Sequence, residues 1–289
     1  MDIFRDRKKG KLVLSQKDYL SKVIKTFGMC DAKTVQTPVG SQFKLHALTE
    51  DQPAAQSKFM DDIPYSSAVG SLMYAMVGLR PDLAYVVGLV SRYMGNPRRD
   101  HWKVVQLILR YVKGAANTYL TFTKESDFKV KGYCDSDYAA DRDKSRSISE
   151  AEYMSLSEAV REAIWLKGVC EEWGFKQNAV EVHCDSQSAI YLAKNNMFHE
   201  RTKHVATKVH FIRDIIAQRD LKVMKIHTSK NPADMLTKVL PGNKFEDCLK
   251  TLKEHGGAVF GTKVEDCGCQ FLVKQEIEVP GSGFGIRPL

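Results

Sequence analysis

The sequence predicts an α/β protein: a mainly helical part over 1–114, a mixed-sheet part over 115–256, and a tail at 257–289. Three observations carry this reading. Between Tyr65 and Lys113, apolar residues recur at helical spacing in three runs separated by Gly or Pro. From Tyr119 onward, short alternating or β-branched runs take turns with helical stretches, as in a sheet covered by helices. The change of texture falls between Gly114 and Tyr119, where the boundary is placed.

Residues 2–14 read as two extended pieces around the turn-like RKKGK. Ser15 is the expected N-cap of SQKDYLSKVIKTFGM, whose Tyr19, Leu20, Val23, Ile24 and Phe27 share a helix face. Residues 31–64, with Pro38, Pro53 and Pro64, read as a polar connector. YSSAVGSLMYAMVG, PDLAYVVGLVSRYMG and HWKVVQLILRYVKG follow as helices forming a core. TYLTFTK and FKVKGYCD are expected to pair as a hairpin. A long amphipathic helix from about Ser149 to Trp173 comes next, then AVEVHCD as a buried strand and SQSAIYLAKNN as a short helix. RTKHVATKVHFIRDIIAQ is a basic helix, LKVMKIHT a strand and NPADMLTKVL a last short helix.

The chain has 289 residues, 43% hydrophobic and 27% charged, the composition of a globular protein. Its net charge of +8 and pI near 9.0 fit a polyanionic partner without identifying one. No apolar run reaches membrane-span length and MDIFRDRKKGK has no signal-peptide core, so an intracellular protein of cytoplasm or nucleus is expected. Seven scattered cysteines predict reduced thiols; Cys267 and Cys269 lie close together but lack the second half of a metal site.

Acids mark the element ends of the second part. Asp135 ends GYCD, Asp185 ends EVHCD, Glu152 lies in the first turn of the long helix, and Asp234 opens the NPADMLTK helix. Strand carboxyl ends share one edge of an α/β sheet, where ligands bind. Two parallel strands that each end in Cys-Asp set two carboxylates side by side, which calls for a hard cation such as Mg2+ or Mn2+. The competing reading treats Glu152 and Asp234 as helix-start acids favoured by the macrodipole.

Longer runs carry a resemblance. RDRKKGKLVLSQKDYLSKVIKTFGMCDAKTVQTP, PYSSAVGSLMYAMVGLRPDLAYVVGLVSRYMGNP, HWKVVQLILRYVKG, GYCDSDYA, EAEYMSLSEAVREAIWLK, HCDSQSAIYLAKN, FHERTKHVATKVHFIR and NPADMLTK stand in this order. Together they resemble the C-terminal part of the Pol polyprotein of copia-type LTR retrotransposons, from residue 2 to about 254. The resemblance implies the thumb and connection of a reverse transcriptase up to about residue 114. From about 119 to 254 it implies a ribonuclease H-like mixed sheet that cuts RNA in RNA–DNA hybrids with Mg2+ or Mn2+. Residue by residue, it makes Asp135, Glu152, Asp185 and Asp234 both catalytic and metal ligands, with Asp137 outside the four. An RNA–DNA hybrid and other Pol-derived chains are the implied partners, with no membrane.

This sequence departs from the family twice. The polymerase's paired-aspartate strand is absent, Asp61-Asp62 lying in the polar connector, so DNA synthesis by this chain alone is not expected. In the family a β-hairpin separates the first aspartate from the EAEY glutamate; here DKSRS runs almost directly into ISEAEY, an internal deletion near 144–149. Its loss is expected to leave the first strand as an open edge. It also takes sheet surface from Ile164, Leu166 and Val169, impairing or destabilising the domain. The tail after about Gly257 does not match the family, and no role is read from it.

Candidate nucleic-acid contacts are Arg201, Lys203, His204, Lys208 and His227. The spacing of His199, His204 and His210 does not gather them on one helix face for zinc, and a solvated basic helix explains them equally well. His227 either assists product release, as a loop histidine does in other ribonucleases H, or simply ends a strand. Tyr74, Tyr85, Tyr93, Trp102 and Tyr111 read first as core, and Lys8, Lys9, Arg98, Arg99 and Lys113 as weaker phosphate contacts. The competing function is a catalytically dead remnant that binds nucleic acid weakly through its basic surface.

Overall fold

In the computed structural model, which describes residues 1–40, 59–123, 130–136, 148–172, 174, 176–195, 206–254 and 270–275, two sheets and two cores organise the chain. β1 (Asp2–Asp6) and β2 (Lys11–Ser15) form an antiparallel hairpin. Its turn is held by Asp6 Oδ1, which accepts the backbone N–H groups of Lys8 and Lys9, and by Gly10 at φ +58°. α1 (Lys17–Thr26) follows at once. Ser15 is not its N-cap: it ends β2 and its hydroxyl accepts the Lys17 N–H, while Gln16 takes the cap position. Gly28, at φ +66°, closes the helix, and Met29 N–H reaches back to the Ile24 carbonyl.

α2 (Tyr65–Gly78) matches its predicted run. The next run divides into a 3-10 turn at Pro81–Leu83 and a short α3 (Ala84–Ser91), and α4 (Arg99–Gly114) completes the group. A buried ion pair sits at the division. Arg80 forks onto Asp82 through Nε–Oδ1 at 2.9 Å and Nη2–Oδ2 at 2.7 Å, Tyr111 donates to Asp82 Oδ2 at 2.7 Å, and Arg80 Nη1 donates to the Ala115 carbonyl. Burial alone would raise the Asp82 pKa; the charge and hydrogen bonds of Arg80, with the Tyr111 hydroxyl, bring it below its usual value.

The expected hairpin of TYLTFTK and FKVKGYCD does not form. β3 (Tyr119–Thr123) pairs antiparallel with β2 instead, Leu120 opposite Leu14 and Phe122 opposite Leu12, so it belongs to the first sheet. β2 offers an open side opposite β1, and the alternation of the two strands is in phase across it. β4 (Val130–Asp135) lies in the other sheet. α5 (Ile148–Glu172), β5 (Val180–Cys184), α6 (Gln187–Lys194), α7 (Ala206–Ala217) and β6 (Leu221–Lys225) then follow in the predicted alternation. The chain continues through α8 (Asp234–Thr237) and α9 (Gly242–Glu254) to β7 (Gln270–Gln275).

The second sheet runs β6-β5-β4-β7. β4, β5 and β6 are parallel, and β7 is antiparallel to β4 with Asp135 opposite Gln270 and Val130 opposite Gln275. The predicted open edge is therefore occupied by a strand from the tail, for which the sequence suggested no role. A bare row of N–H and C=O groups on β4 is a template for any extended segment within reach, and QFLVKQ supplies one. α5 lays Tyr153, Leu156, Ala159, Val160, Ala163, Leu166 and Cys170 on the sheet at helical spacing; Ile164 packs half-buried beside them. Val169 is also half-buried.

The two cores are not divided at residues 114–119. The helical core of Leu20, Leu72, Val87, Ile108 and Leu109 is completed by Met235, Leu236, Leu240, Phe245 and Cys248 from the end of the chain. This return of α8 and α9 onto the first part locks the loop that carries Asp234. Cys30, Cys134, Cys170, Cys184 and Cys248 are free thiols, and Cys267 and Cys269 lie outside the described residues. Among the described residues no helix is long and apolar enough to cross a membrane.

Candidate metal centre

Parallel pairing of β4 and β5 sets Cys134 opposite Cys184, so the residues that follow, Asp135 and Asp185, leave the sheet at the same edge. Alternation turns Cys134 and Cys184 into the core, and Asp135 is itself only 2% exposed. Ser155 of α5 donates to the Asp135 carbonyl at 2.7 Å, which brings the start of that helix, and Glu152 with it, against the strand end. From the far end of the chain, Asn231 donates to the Cys134 carbonyl at 3.0 Å, and its own Oδ1 accepts the Ala233 N–H. Asp234, fully buried, opens the next turn.

All four predicted acids thus meet. One oxygen each from Asp135, Asp185 and Asp234 lie within 4.8 Å of one another, and so do ligand atoms of Glu152, Cys184 and Asp185. Asp185 belongs to both groups. Glu152 Oε2 and Asp185 Oδ1 are buried without a hydrogen-bond partner, and Asp234 Oδ1 has the Lys238 ammonium as its neighbour. Such atoms are costly to bury bare, and a set of hard oxygens suits Mg2+ or Mn2+. The residues fit a divalent cation.

Two of the acids bind their protons more tightly than usual, chiefly because they are buried. Burial pushes Asp135 up to about 6, with Asp234 and Asp185 adding to the effect and Lys238 and Thr237 opposing it. Burial pushes Glu152 up to about 7, opposed by Ser136 and reinforced by Asp135 and Asp185.

Three partners of these acids escaped the sequence reading. Lys238 Nζ lies 3.1 Å from Asp135 Oδ2 and 2.8 Å from Asp234 Oδ1. Lys244 pairs with the other Asp234 oxygen, and Thr237 donates its hydroxyl to Asp135 Oδ2. Lys238 stands four residues after Asp234 in DMLTK, a spacing at which helical side chains meet; Lys244 carries no such local signal.

The predicted nucleic-acid residues fare differently. His227 is exposed beside the site, where its Nδ1 lies 2.7 Å from Ser229 Oγ and accepts the Ser229 N–H, capping the Thr228–Lys230 turn. Lys208 lies on α7; Arg201, Lys203, His204 and Asp137 are outside the described residues, as is His199. Exposed Lys225, whose ammonium bonds the Asp185 carbonyl, and exposed Lys230 add positive charge at this edge that the sequence reading did not single out.

No family model and no solved structure matches the chain. Curated relatives do. It is 43% identical over 88% of its length to the retrovirus-related Pol polyprotein from transposon TNT 1-94 of Nicotiana tabacum. It is 32% and 31% identical, over 82% of its length, to those from transposons RE2 and RE1 of Arabidopsis thaliana. The chain spans about a fifth of the length of these relatives, 21% of the first and 18% of the other two.

Proposed function

We propose, from the premise that this chain belongs to the retrovirus-related Pol polyproteins of copia-type transposons, that its acid site hydrolyses the RNA strand of RNA–DNA hybrids, with residues 130–254 forming a ribonuclease H-like domain. The observation that carries the reading is the meeting of Asp135, Glu152, Asp185 and Asp234 at one sheet edge, with buried oxygens left unpartnered. The four would hold Mg2+, or Mn2+ in its place. Bound there, such ions activate water and stabilise the leaving oxygen of a phosphodiester.

The chain's own residues prepare the site. Ser155 and Asn231 fix the end of β4 through backbone carbonyls, so Asp135 is held by bonds that make no demand on its carboxylate. Burial pushes the Glu152 carboxyl up to about 7, and it would give up its proton to hold a cation. Exposed Lys225 borders the site through its bond to the Asp185 carbonyl, and its charge, with that of exposed Lys230, suits a nucleic-acid backbone. The pairing of β7 with β4 supports an intact sheet under the first acid despite the short 137–147 connection.

The test is cleavage of a labelled RNA–DNA hybrid with Mg2+ by the full chain and by Asp185→Asn. Cleavage by the parent, reduced at least about a hundredfold in the variant, supports the reading. A folded protein that shifts the hybrid in a salt-sensitive way but never cuts it is the dead, weakly binding remnant instead.

A further inference from the structure

The four acids are not equivalent. Glu152 Oε2 and Asp185 Oδ1 are buried with no partner, whereas Asp135 and Asp234 already share an ammonium. Lys238 Nζ bridges Asp135 Oδ2 and Asp234 Oδ1 at 3.1 and 2.8 Å, so a positive charge already lies between these two carboxylates. We propose that Lys238 is a resident counter-cation: it holds Asp135 and Asp234 together before a divalent ion arrives, and competes with that ion for them.

The geometry supports both halves of this role. Asp135 and Asp234 are 2% and 0% exposed, and two carboxylates buried that deeply repel each other strongly unless a positive charge lies between them. Lys238 supplies that charge, yet its own side chain is 41% exposed, so the ammonium has a path to water when displaced. Neighbours can hold the acids after it leaves: Thr237 donates to Asp135 Oδ2, and Lys244, anchored to the Thr228 carbonyl at 3.2 Å, stays on the other Asp234 oxygen. Among the described residues no ammonium bridges the Glu152 and Asp185 carboxylates; Lys225 bonds the Asp185 backbone carbonyl instead. An ion can therefore enter there without displacing a charge, while the Asp135–Asp234 side requires Lys238 to swing out.

This inference rests on the proposed metal site, and its test separates the two. Mn2+ binding to the full chain is followed by titration calorimetry, and thermal melting is measured with and without Mn2+, for the parent, Lys238→Gln, Lys238→Arg and Asp185→Asn. Loss of a competitor should tighten Mn2+ binding by Lys238→Gln about tenfold, within the ordinary range of site couplings. The same variant should melt lower than the parent without metal, and the gap should close as Mn2+ saturates. Lys238→Arg, which keeps the charge, should stay near the parent in both. Were Lys238 merely structural, Lys238→Gln would melt lower with and without Mn2+ and bind it no tighter; that result overturns the proposal alone. A Lys238→Gln protein that folds only with Mn2+ supports it. Should neither the parent nor Lys238→Gln bind Mn2+, the metal site falls and this inference with it.

Discussion

The protein buries charge in two places and treats it in opposite ways. At Arg80, Asp82 and Tyr111 every charged group is forked, capped or bridged, and the pair is sealed at 1% and 5% side-chain exposure. At Asp135, Glu152, Asp185 and Asp234, four acids meet with unpartnered oxygens, and their lysine reaches them from a partly exposed position. The first arrangement closes a helical core by tying the end of α2 to α4. The second leaves carboxylate oxygens unpaired at the sheet edge, at a cost in stability. Incomplete pairing, not burial of charge alone, is what sets the candidate site apart from the sealed pair.

The sharpest way to break this contrast is to remove one partner from each cluster. Arg80→Ala leaves Asp82 buried and bare, and should cost about 3–5 kcal/mol, read as a large fall in melting temperature that no metal restores. Asp185→Asn, by contrast, relieves repulsion among acids. Its melting temperature without metal should equal or exceed the parent's, while hybrid cleavage falls at least about a hundredfold. If Asp185→Asn destabilised as Arg80→Ala does, the acid cluster would be structural too.

Truncation after residue 256 sharpens the comparison between sheet and helical core. Without β7 the whole length of β4 becomes an open edge beside the first acid. A loss of about 1–2 kcal/mol and a rise in self-association by light scattering are expected, since bare edges recruit other strands. An unchanged, monodisperse truncation would show that the edge needs no cover.

The smallest effect is the pH dependence. Folded-state values of about 6 for Asp135 and about 7 for Glu152 lie above those of an unfolded chain, so between about pH 4 and 7 the folded protein binds more protons. Stability without metal should therefore fall as pH rises through this window. Chemical denaturation at pH 5 and 7.5 checks the sign. Saturating Mn2+ should flatten or reverse the slope, because bound carboxylates are deprotonated. The sealed Arg80–Asp82 cluster contributes nothing here, as the Asp82 pKa lies below the window.

Local pattern made the helices and the acids legible. YSSAVGSLMYAMVG became α2 residue for residue, and GYCD, EVHCD and NPAD each placed an acid at an element end that the fold brings together. Pairing between distant segments was not legible. The runs TYLTFTK and FKVKGYCD looked like neighbours because they are close in sequence, but the in-phase alternation of KLVLS, a hundred positions earlier, outcompeted that proximity. QFLVKQ in the tail has no turn signal linking it to β4, and only the open edge left by the short 137–147 connection explains its place. The lysines were missed because charge compensation depends on where α8 and α9 dock. That docking is set by Met235, Leu236 and Phe245 in the first core together with the Asn231 bond to the end of β4.

The proposed site requires the unpaired acids to hold a divalent cation rather than to form a sealed cluster. An anomalous difference map from crystals of the full chain grown with Mn2+ tests it most directly. Manganese density between Asp135, Asp185 and Asp234, or between Glu152 and Asp185, with Lys238 displaced from the former, is the result expected. Crystals with no manganese at these carboxylates, and Lys238 still bridging Asp135 and Asp234, would contradict it.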